Sequence, residues 1–408
     1  MERRPLTICA IGSSSSTHVV SRVKCFADRG HRVFLICDSR AGIEGVTELV
    51  PSGRPIRGLR SLSLLLSVPG LIRRCRPDVV HVHFAYSPLA WMAAVADRYP
   101  LVVSVMGGDV LFDEQGRPTP SGRRLTLRLL ESADLITSKS DFLIRVLDRL
   151  GGFGAKAVKV VWGVDLKHFR RVDAGGLRAA LGLGREDRVI LSPRILQRFY
   201  NVHLIVEAMP RVIAAIPEAR LLITEYQADP AYRDEICRRV EALGLREHVR
   251  FVGSVPHDEM PQHYSLADVT VAVPPSDGLP QTLLEGMACG TPSILSRLPR
   301  YEELVTHGES ALFVDVSRES IADGVIRMLE AADLRERIAS AGREIVATHA
   351  DLDRDADRME AKYYELLSKP RRRGPGYFRR AWVIGEMALH LLTHDRSFPE
   401  SASSGSNV

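Results

Sequence analysis

Across its 408 residues the sequence has no unbroken apolar run of the roughly 18 residues that would mark a membrane-crossing helix. The basic N-terminus leads only into a short apolar stretch, residues 6–11, with no cleavage-site pattern behind it. That stretch is expected to be a first strand rather than a signal peptide. Cysteine is sparse: Cys9, Cys25, Cys37, Cys75, Cys237 and Cys289 stand in neither CxxC nor any other metal-ligand spacing. Several lie in apolar runs, where a thiol serves as a small core residue. No zinc site is expected, and the usage suits a reducing cytosol. Composition is otherwise ordinary for a globular protein, 45% hydrophobic and 26% charged. At this length two domains are expected rather than one core.

What the sequence does have is alternation. Short apolar, strand-like runs alternate with longer amphipathic segments along the whole chain, the pattern of a parallel α/β arrangement. Strands are expected at 6–11, 32–37, 79–83, 101–105, 135–138 and 158–161, with helices at 18–28 and 62–74. The second half repeats this, with strands at 189–192, 220–223, 249–252, 269–273, 292–295 and 312–314. Its helices are expected at 202–216, 232–243, 279–289 and 321–330. The Gly- and charge-rich stretch 170–184 marks the break. The reading is therefore two doubly wound, Rossmann-like domains, 1–172 and 173–368, facing each other across a cleft. A basic, amphipathic extension follows at 369–408, with a Ser-rich end expected to be disordered from Ser397. Ligands in such sheets bind beyond the carboxyl ends of the strands.

The most informative segment runs from Pro275 to Pro292, PSDGLPQTLLEGMACGTP. It reads as a turn, a proline in the first helical turn, an apolar helix and a glycine stop. Glu285 falls mid-helix among Leu, Gly, Met and Ala, where an unpaired carboxylate would be costly to bury. It needs a cation, such as a core arginine, or the hydroxyls of a ligand. Asp277 stands eight residues earlier, about 10–12 Å away along one groove at 1.5 Å rise per residue. It is either an N-cap or a ligand contact. The amides of the helix start, with Gly278 ahead of it and Leu279 as its first residue, suit phosphates.

This segment resembles the EX7E motif of glycosyltransferase family 4, whose helix reads roughly LLEAMACGTP. Other stretches resemble the same family in order. They are Pro77-Asp78-Val79-Val80-His81-Val82-His83, Gly107-Gly108-Asp109-Val110, Gly163-Val164-Asp165 with Phe169, Arg194, Phe251-Val252-Gly253, and Gly308-Glu309. The resemblance covers roughly residues 6–368. It implies a GT-B fold and transfer of a sugar from a nucleotide-sugar donor, a UDP- or GDP-sugar, to an acceptor hydroxyl. Anomeric configuration would be retained, without metal or other cofactor. It further implies that Glu285 holds ribose hydroxyls, Asp277 contacts the donor sugar and Arg194 pairs with the diphosphate. A planar guanidinium suits that bidentate contact.

Three departures stand out. The first glutamate of EX7E is Asp277 here. The family lysine after the arginine is missing, with Tyr200 near its place, Asn201 next, and Arg198 available to supply the lost charge. The glycine-rich loop after the next strand reads Thr224-Glu225-Tyr226-Gln227. These departures motivate an alternative, a GT-B binding subunit without turnover; a GT-B nucleotide-sugar epimerase is the other. Asp109 either holds its own turn or lies near the acceptor or reacting bond. His81 is expected to be packed and His31 structural, while His83 is either packed or lines the cleft. Residues 13–16 are a polar turn or offer hydroxyls and amides to phosphate or acceptor, which makes Ser16 and His18 acceptor-side candidates.

Net charge is only +5 but unevenly spread. Residues 1–172 hold 26 Lys and Arg against 15 Asp and Glu, 173–368 hold 22 against 32, and 369–408 hold 7 against 3. Such asymmetry bears on partners rather than fold. It fits a solvated basic face, a basic acceptor cleft, or an anionic membrane surface; nucleic acid is not expected. Arg57, Arg60, Arg73, Arg74 and Arg76 surround the apolar segment 62–72. Arg371, Arg372, Arg373, Arg379 and Arg380 flank Tyr377 and Phe378, and Trp382 follows, as in an interfacial segment. A cytoplasmic location follows, with the inner membrane face as a docking option. The acceptor, whether lipid carrier, glycan or small molecule, is not named by the sequence.

Overall fold

The computed structural model describes residues 4–52, 65–96, 99–112, 119–370 and 376–394. The chain divides into two compact units. The first comprises residues 1–139, 143–160 and 358–408, the second residues 140–142 and 161–357.

In the first unit the order is β1 (Thr7–Ile11), α1 (Thr17–Asp28), β2 (Arg32–Ile36), β3 (Val46–Leu49), α2 (Val68–Cys75) and β4 (Val79–His83). Then come α3 (Pro88–Trp91), running into a 3-10 turn at Met92–Val95, β5 (Leu101–Val105), α4 (Pro120–Ser132), β6 (Leu135–Ser138), α5 (Asp141–Gly151) and β7 (Ala157–Lys159). The strands form one parallel sheet in the order β3-β2-β1-β4-β5-β6-β7. β4 and β5 are buried at every position. Burial on both faces is why they read as nearly continuous apolar runs. The strand order reverses beside β1, between β2 and β4, so a crevice opens beyond the ends of β1 and β4.

The second unit has α6 (Gly175–Ala180), β8 (Arg188–Ser192), α7 (Val202–Ala215), β9 (Ala219–Ile223), α8 (Pro230–Ala242), β10 (Val249–Phe251) and α9 (Met260–Leu266). β11 (Val269–Ala272), α10 (Gln281–Ala288), β12 (Ser293–Ser296), β13 (Leu312–Val314), α11 (Arg318–Glu330) and α12 (Ala332–His349) follow. Its parallel sheet runs β10-β9-β8-β11-β12-β13. Here the order reverses beside β8. Two apolar clusters make the core, one holding Val206, Ile236 and Met328, the other Tyr264, Leu284 and Met287.

The boundaries differ from those expected. Val161, Val164 and Phe169 are buried in the second unit's core, and Val172 N–H donates to Ser265 Oγ at 3.0 Å. The break therefore falls at residue 160, ahead of 170–184. Gly163 explains its own identity: a Cβ there would stand 1.7 Å from the Ala350 carbonyl oxygen. Residues from 358 onward return to the first unit, inside α13 (Leu352–Ser368). There Tyr363 is fully buried and its hydroxyl lies 2.6 Å from His81 Nδ1.

The expected tail is likewise part of the first unit. α14 (Tyr377–His394) buries Val383, Met387 and Leu391. It is tied to α4 by Arg124 with Glu386, Arg379 with Glu131, and Arg128 over the Trp382 ring at 4.8 Å. His390 Nδ1 lies 3.0 Å from Ser121 Oγ and 3.2 Å from Thr119 Oγ1. Arg57 and Arg60, the first turn of the helix expected at 62–74, the arginines at 371–373 and the end from Ser397 lie outside the described residues.

Candidate functional site

In the second unit Arg194 follows β8 and Asp277 follows β11, the two neighbours at the reversal of strand order. Arg194 Nη2 pairs with Asp277 Oδ2 at 2.7 Å, and Nη1 donates to Thr282 Oγ1 at 3.1 Å. The guanidinium lies 4.6 Å above the Tyr200 ring and is only 8% exposed. Burial works against its charge, but Asp277, Tyr301 and Tyr200 hold its pKa above the ordinary arginine value. Arg194 is thus a fixed, buried cation rather than a surface one.

Asp277 is not an N-cap. The cap of α10 is Pro280, which has no side-chain acceptor to offer. Asp277 instead accepts from Gly278 N–H at 2.8 Å and from Tyr301 O–H at 2.9 Å, besides pairing with Arg194. Burial and the Asp277 charge push the Tyr301 phenol well above its usual range, so it stays a donor.

Glu285 is 3% exposed, and its partner is not an arginine. Oε1 lies 3.0 Å from His257 Nε2, and Oε2 accepts from Tyr264 O–H at 2.9 Å. Burial opposes a charge on His257, yet the bond to Glu285 leaves its pKa raised. Tyr264 is held well above its usual range by burial and by Glu285. Imidazole and phenol sit where ribose hydroxyls were expected.

Around this centre the remaining sequence candidates separate. Tyr200 forms the floor beneath Arg194. Arg198, considered as a substitute for the missing lysine, is turned away: it is exposed, pairs with Glu235 on α8 and stacks 5.3 Å from the Tyr232 ring. Asn201 is a structural residue, in the left-handed region at φ 54° and donating to the Val273 carbonyl at 3.0 Å. Leu279 is packed in the core. In the loop that replaces the glycine-rich one, Glu225 accepts from Gly253 N–H at 3.0 Å and pairs with Arg233.

In the first unit a cavity of about 340 Å³ opens beyond the strand ends. Gly12, Ser13 and Ser16 line it after β1, Asp38 after β2, His83 at the end of β4 with Phe84 after it, and Met106 after β5. Ser16 is the N-cap of α1, without a side-chain cap bond. His83 is buried and lies 3.3 Å from Arg22 Nη1 through its Nδ1. Burial, reinforced by His81 and Arg22, holds its pKa well below the usual histidine range. His81 is packed, as expected, between Tyr363 and Ser104. His18 lies on α1 but is not among the residues lining the cavity.

Asp109 is fully buried and accepts from Ala85 N–H at 2.7 Å and from Met106 and Gly107 N–H at 2.9 Å each. With both oxygens engaged by amides it holds two loops together rather than meeting a reacting bond. Through them it positions Phe84 and Met106 in the cavity wall. Its turn needs Gly107, at φ 122°, a conformation open to glycine alone.

Comparison with known proteins agrees with the topology. The profile for glycosyl transferases group 1 matches residues 176–345, and that for Glycosyltransferase Family 4 matches residues 15–168. The chain belongs to glycosyltransferase family 4. The D-inositol 3-phosphate glycosyltransferase of Geodermatophilus obscurus is 27% identical over 328 residues, 76% of this chain and 72% of that one. The N-acetyl-alpha-D-glucosaminyl L-malate synthase of Bacillus anthracis is 22% identical over 311 residues, 75% of this chain and 79% of its own. HepE of Anabaena, solved with UDP and glucose, aligns at a TM-score of 0.77 and 18% identity. It covers 88% of this chain and 100% of HepE. That likeness shows the fold, GT-B.

For this glycosyltransferase the sequence reading found Arg194, Asp277 and Glu285 but missed what holds them. Thr282 lies inside the motif and sits five residues after Asp277, so a helix-start contact was available to find. Tyr301, Tyr264 and His257 come from other elements and left no local signal. Asp38 was also missed, although it follows the end of β2, next to the switch-point strand β1. Among the described residues there is no group of three or more His, Cys, Asp or Glu able to hold a metal.

Proposed function

We propose that this glycosyltransferase takes a nucleotide-sugar as donor and transfers the sugar to an acceptor hydroxyl with retention of configuration and without metal. The observation that carries the reading is Arg194, buried and fixed at the switch point of the second unit. One nitrogen is held by Asp277 and one by Thr282, so the remaining N–H donors of the fork are left for a diphosphate. As the glycosidic bond to the diphosphate breaks, negative charge grows on the leaving oxygen, and a preset cation stabilises it without reorganising. The α10 start adds its dipole. Glu285 then exchanges His257 for ribose hydroxyls while keeping Tyr264. The acceptor hydroxyl attacks on the face the diphosphate leaves, and no protein nucleophile is assigned. UDP in HepE supports a uridine donor, with guanosine as the other choice.

Incubation with UDP- and GDP-sugars tests this. Nucleoside diphosphate release, unchanged by chelator, and an α-linked product from an α-linked donor are expected. A product of inverted configuration, or activity lost with chelator, would contradict it. A binding subunit without turnover is the second reading, favoured by Arg198 being paired to Glu235 and by Tyr200 standing near the lysine's place. Such a subunit binds the donor and releases no nucleoside diphosphate.

We also propose that the first unit docks on an anionic membrane surface. Among the described residues no helix is long and apolar enough to cross a membrane. α14, however, turns Phe378, Leu389 and Leu392 outward at 88%, 49% and 68% exposure. With Gly385 they recur at the spacing of one helix face, on which Trp382 is partly covered by Arg128. That face lies opposite the buried Val383, Met387 and Leu391.

A further inference from the structure

The loop between β1 and α1 has the makings of an anion site: a serine-rich turn, a helix of twelve residues behind it, and no side-chain cap at Ser16. Several of its donors are already taken. Ser13 Oγ donates to both oxygens of Asp38, at 3.0 and 3.2 Å, and Ser14 N–H reaches Oδ1 at 3.4 Å. Ser39 N–H donates to Oδ1 at 3.2 Å. Asp38 also lines the cavity. A carboxylate of the chain itself therefore stands at the serine turn ahead of α1, against any phosphate or carboxylate that enters the cavity there.

The other ionisable group in the cavity wall is His83. An arginine guanidinium only donates, so His83 Nδ1, facing Arg22, must accept. The ring proton then sits on Nε2, and the lowered pKa leaves the imidazole uncharged. The wall is otherwise apolar side chains, Val19, Pro88, Leu89 and Met106 among them, and serine hydroxyls. The cavity thus presents one negative charge, an uncharged imidazole and serine hydroxyls.

We infer that this cavity takes a neutral, hydroxyl-bearing acceptor, and that Asp38 is the specificity residue excluding phosphorylated or carboxylated ones. The inference rests on the reading of the chain as a glycosyltransferase with an acceptor site in its first unit. A sugar or polyol hydroxyl can donate to Asp38. A phosphate monoester, carrying close to two negative charges, is repelled at about the distance of a hydrogen bond.

Asp38→Asn tests this, with matched pairs of probes: glycerol and glycerol 3-phosphate, myo-inositol and inositol 3-phosphate. Thermal shifts are read with nucleoside diphosphate saturating, so that the phosphate esters cannot report on the second unit, and circular dichroism checks that the variant folds. The wild type is expected to show no stabilisation by the phosphate esters. The variant is expected to gain about tenfold or more in phosphate-ester affinity. Phosphate esters that bind the wild type better than their parent alcohols overturn the inference, as does a folded variant that binds them no better than wild type. If nucleoside diphosphate itself gives no shift, the donor reading fails, while the comparison at Asp38 is still decided.

Discussion

Removing Arg194 has two effects that kinetics and unfolding separate. Arg194→Ala takes away the cation proposed to meet the leaving diphosphate, a loss of roughly 3–4 kcal/mol in transition-state stabilisation, or about 10²–10³-fold in kcat/KM. It also strips Asp277 of its partner, but Tyr301 and Gly278 N–H remain bonded to that carboxylate. The stability loss should therefore fall below the about 3–5 kcal/mol of breaking a buried pair outright. A kinetic loss under about tenfold would remove Arg194 from the site. The His257–Glu285 pair makes a pH prediction. Its histidine has a raised pKa when folded, so the stabilisation is fully present below the ordinary value near pH 6.5 and fades as pH climbs through the raised one. The gap in melting temperature between wild type and His257→Gln should be widest near pH 6 and narrow toward pH 8; a gap that widens with pH would refute the pairing. At this scale the motif residues were legible because phosphate and ribose chemistry demands particular groups at fixed spacing. Their holders were not. Tyr301 is 24 residues from Asp277 and Tyr264 is 21 from Glu285, and only the fold brings them together.

Helix α14 ties its own amphipathicity to a specific neighbour. Met387 and Val383 are 0% and 1% exposed against the first unit, so Met387→Ala should cost about 2–5 kcal/mol. Leu392→Ser on the outward face should change stability by no more than about 0.5 kcal/mol. Urea unfolding followed by circular dichroism compares them, and equal, small effects would mean that the helix is not docked. Strands such as β4, β5 and β6 were legible to the residue, since a strand buried on both faces is an apolar run cut off by polar or proline neighbours. β3 was not: Val-Thr-Glu-Leu is short and only half buried, so neither a continuous nor an alternating pattern shows. The domain break was misplaced for a related reason. Apolar residues such as Val161, Val164 and Phe169 announce that they are buried, not in which of two cores. The return of α13 to the first unit rests on Tyr363 and was equally silent in the sequence.

Assigning the chain by its two compact units sharpens the charge asymmetry of the whole molecule. The first unit, with the returning C-terminal residues, carries 32 Lys and Arg against 18 Asp and Glu, a net +14. The second carries 23 against 32, a net −9. A basic unit alone is equally consistent with a solvated face, so charge does not decide for a membrane. The outward face of α14 adds what charge lacks. Phe378, 88% exposed, and Leu392, 68% exposed, are large apolar side chains turned to solvent on a helix whose other face is firmly packed. Basic residues near an anionic surface contribute about 1 kcal/mol each, and a few inserted apolar side chains add to them, which together give reversible attachment. Co-sedimentation with vesicles is the measurement. The wild type should pellet with anionic vesicles at low salt, stay in solution with neutral ones, and release as salt shortens the screening length. The double variant Phe378→Ser, Leu392→Ser should keep its fold, because neither side chain is buried, yet bind anionic vesicles measurably less well. Binding that the double variant leaves untouched would make the attachment purely electrostatic and take α14 out of it. No binding of the wild type to anionic vesicles at low salt would end the membrane proposal, leaving the basic unit to serve a dissolved acceptor.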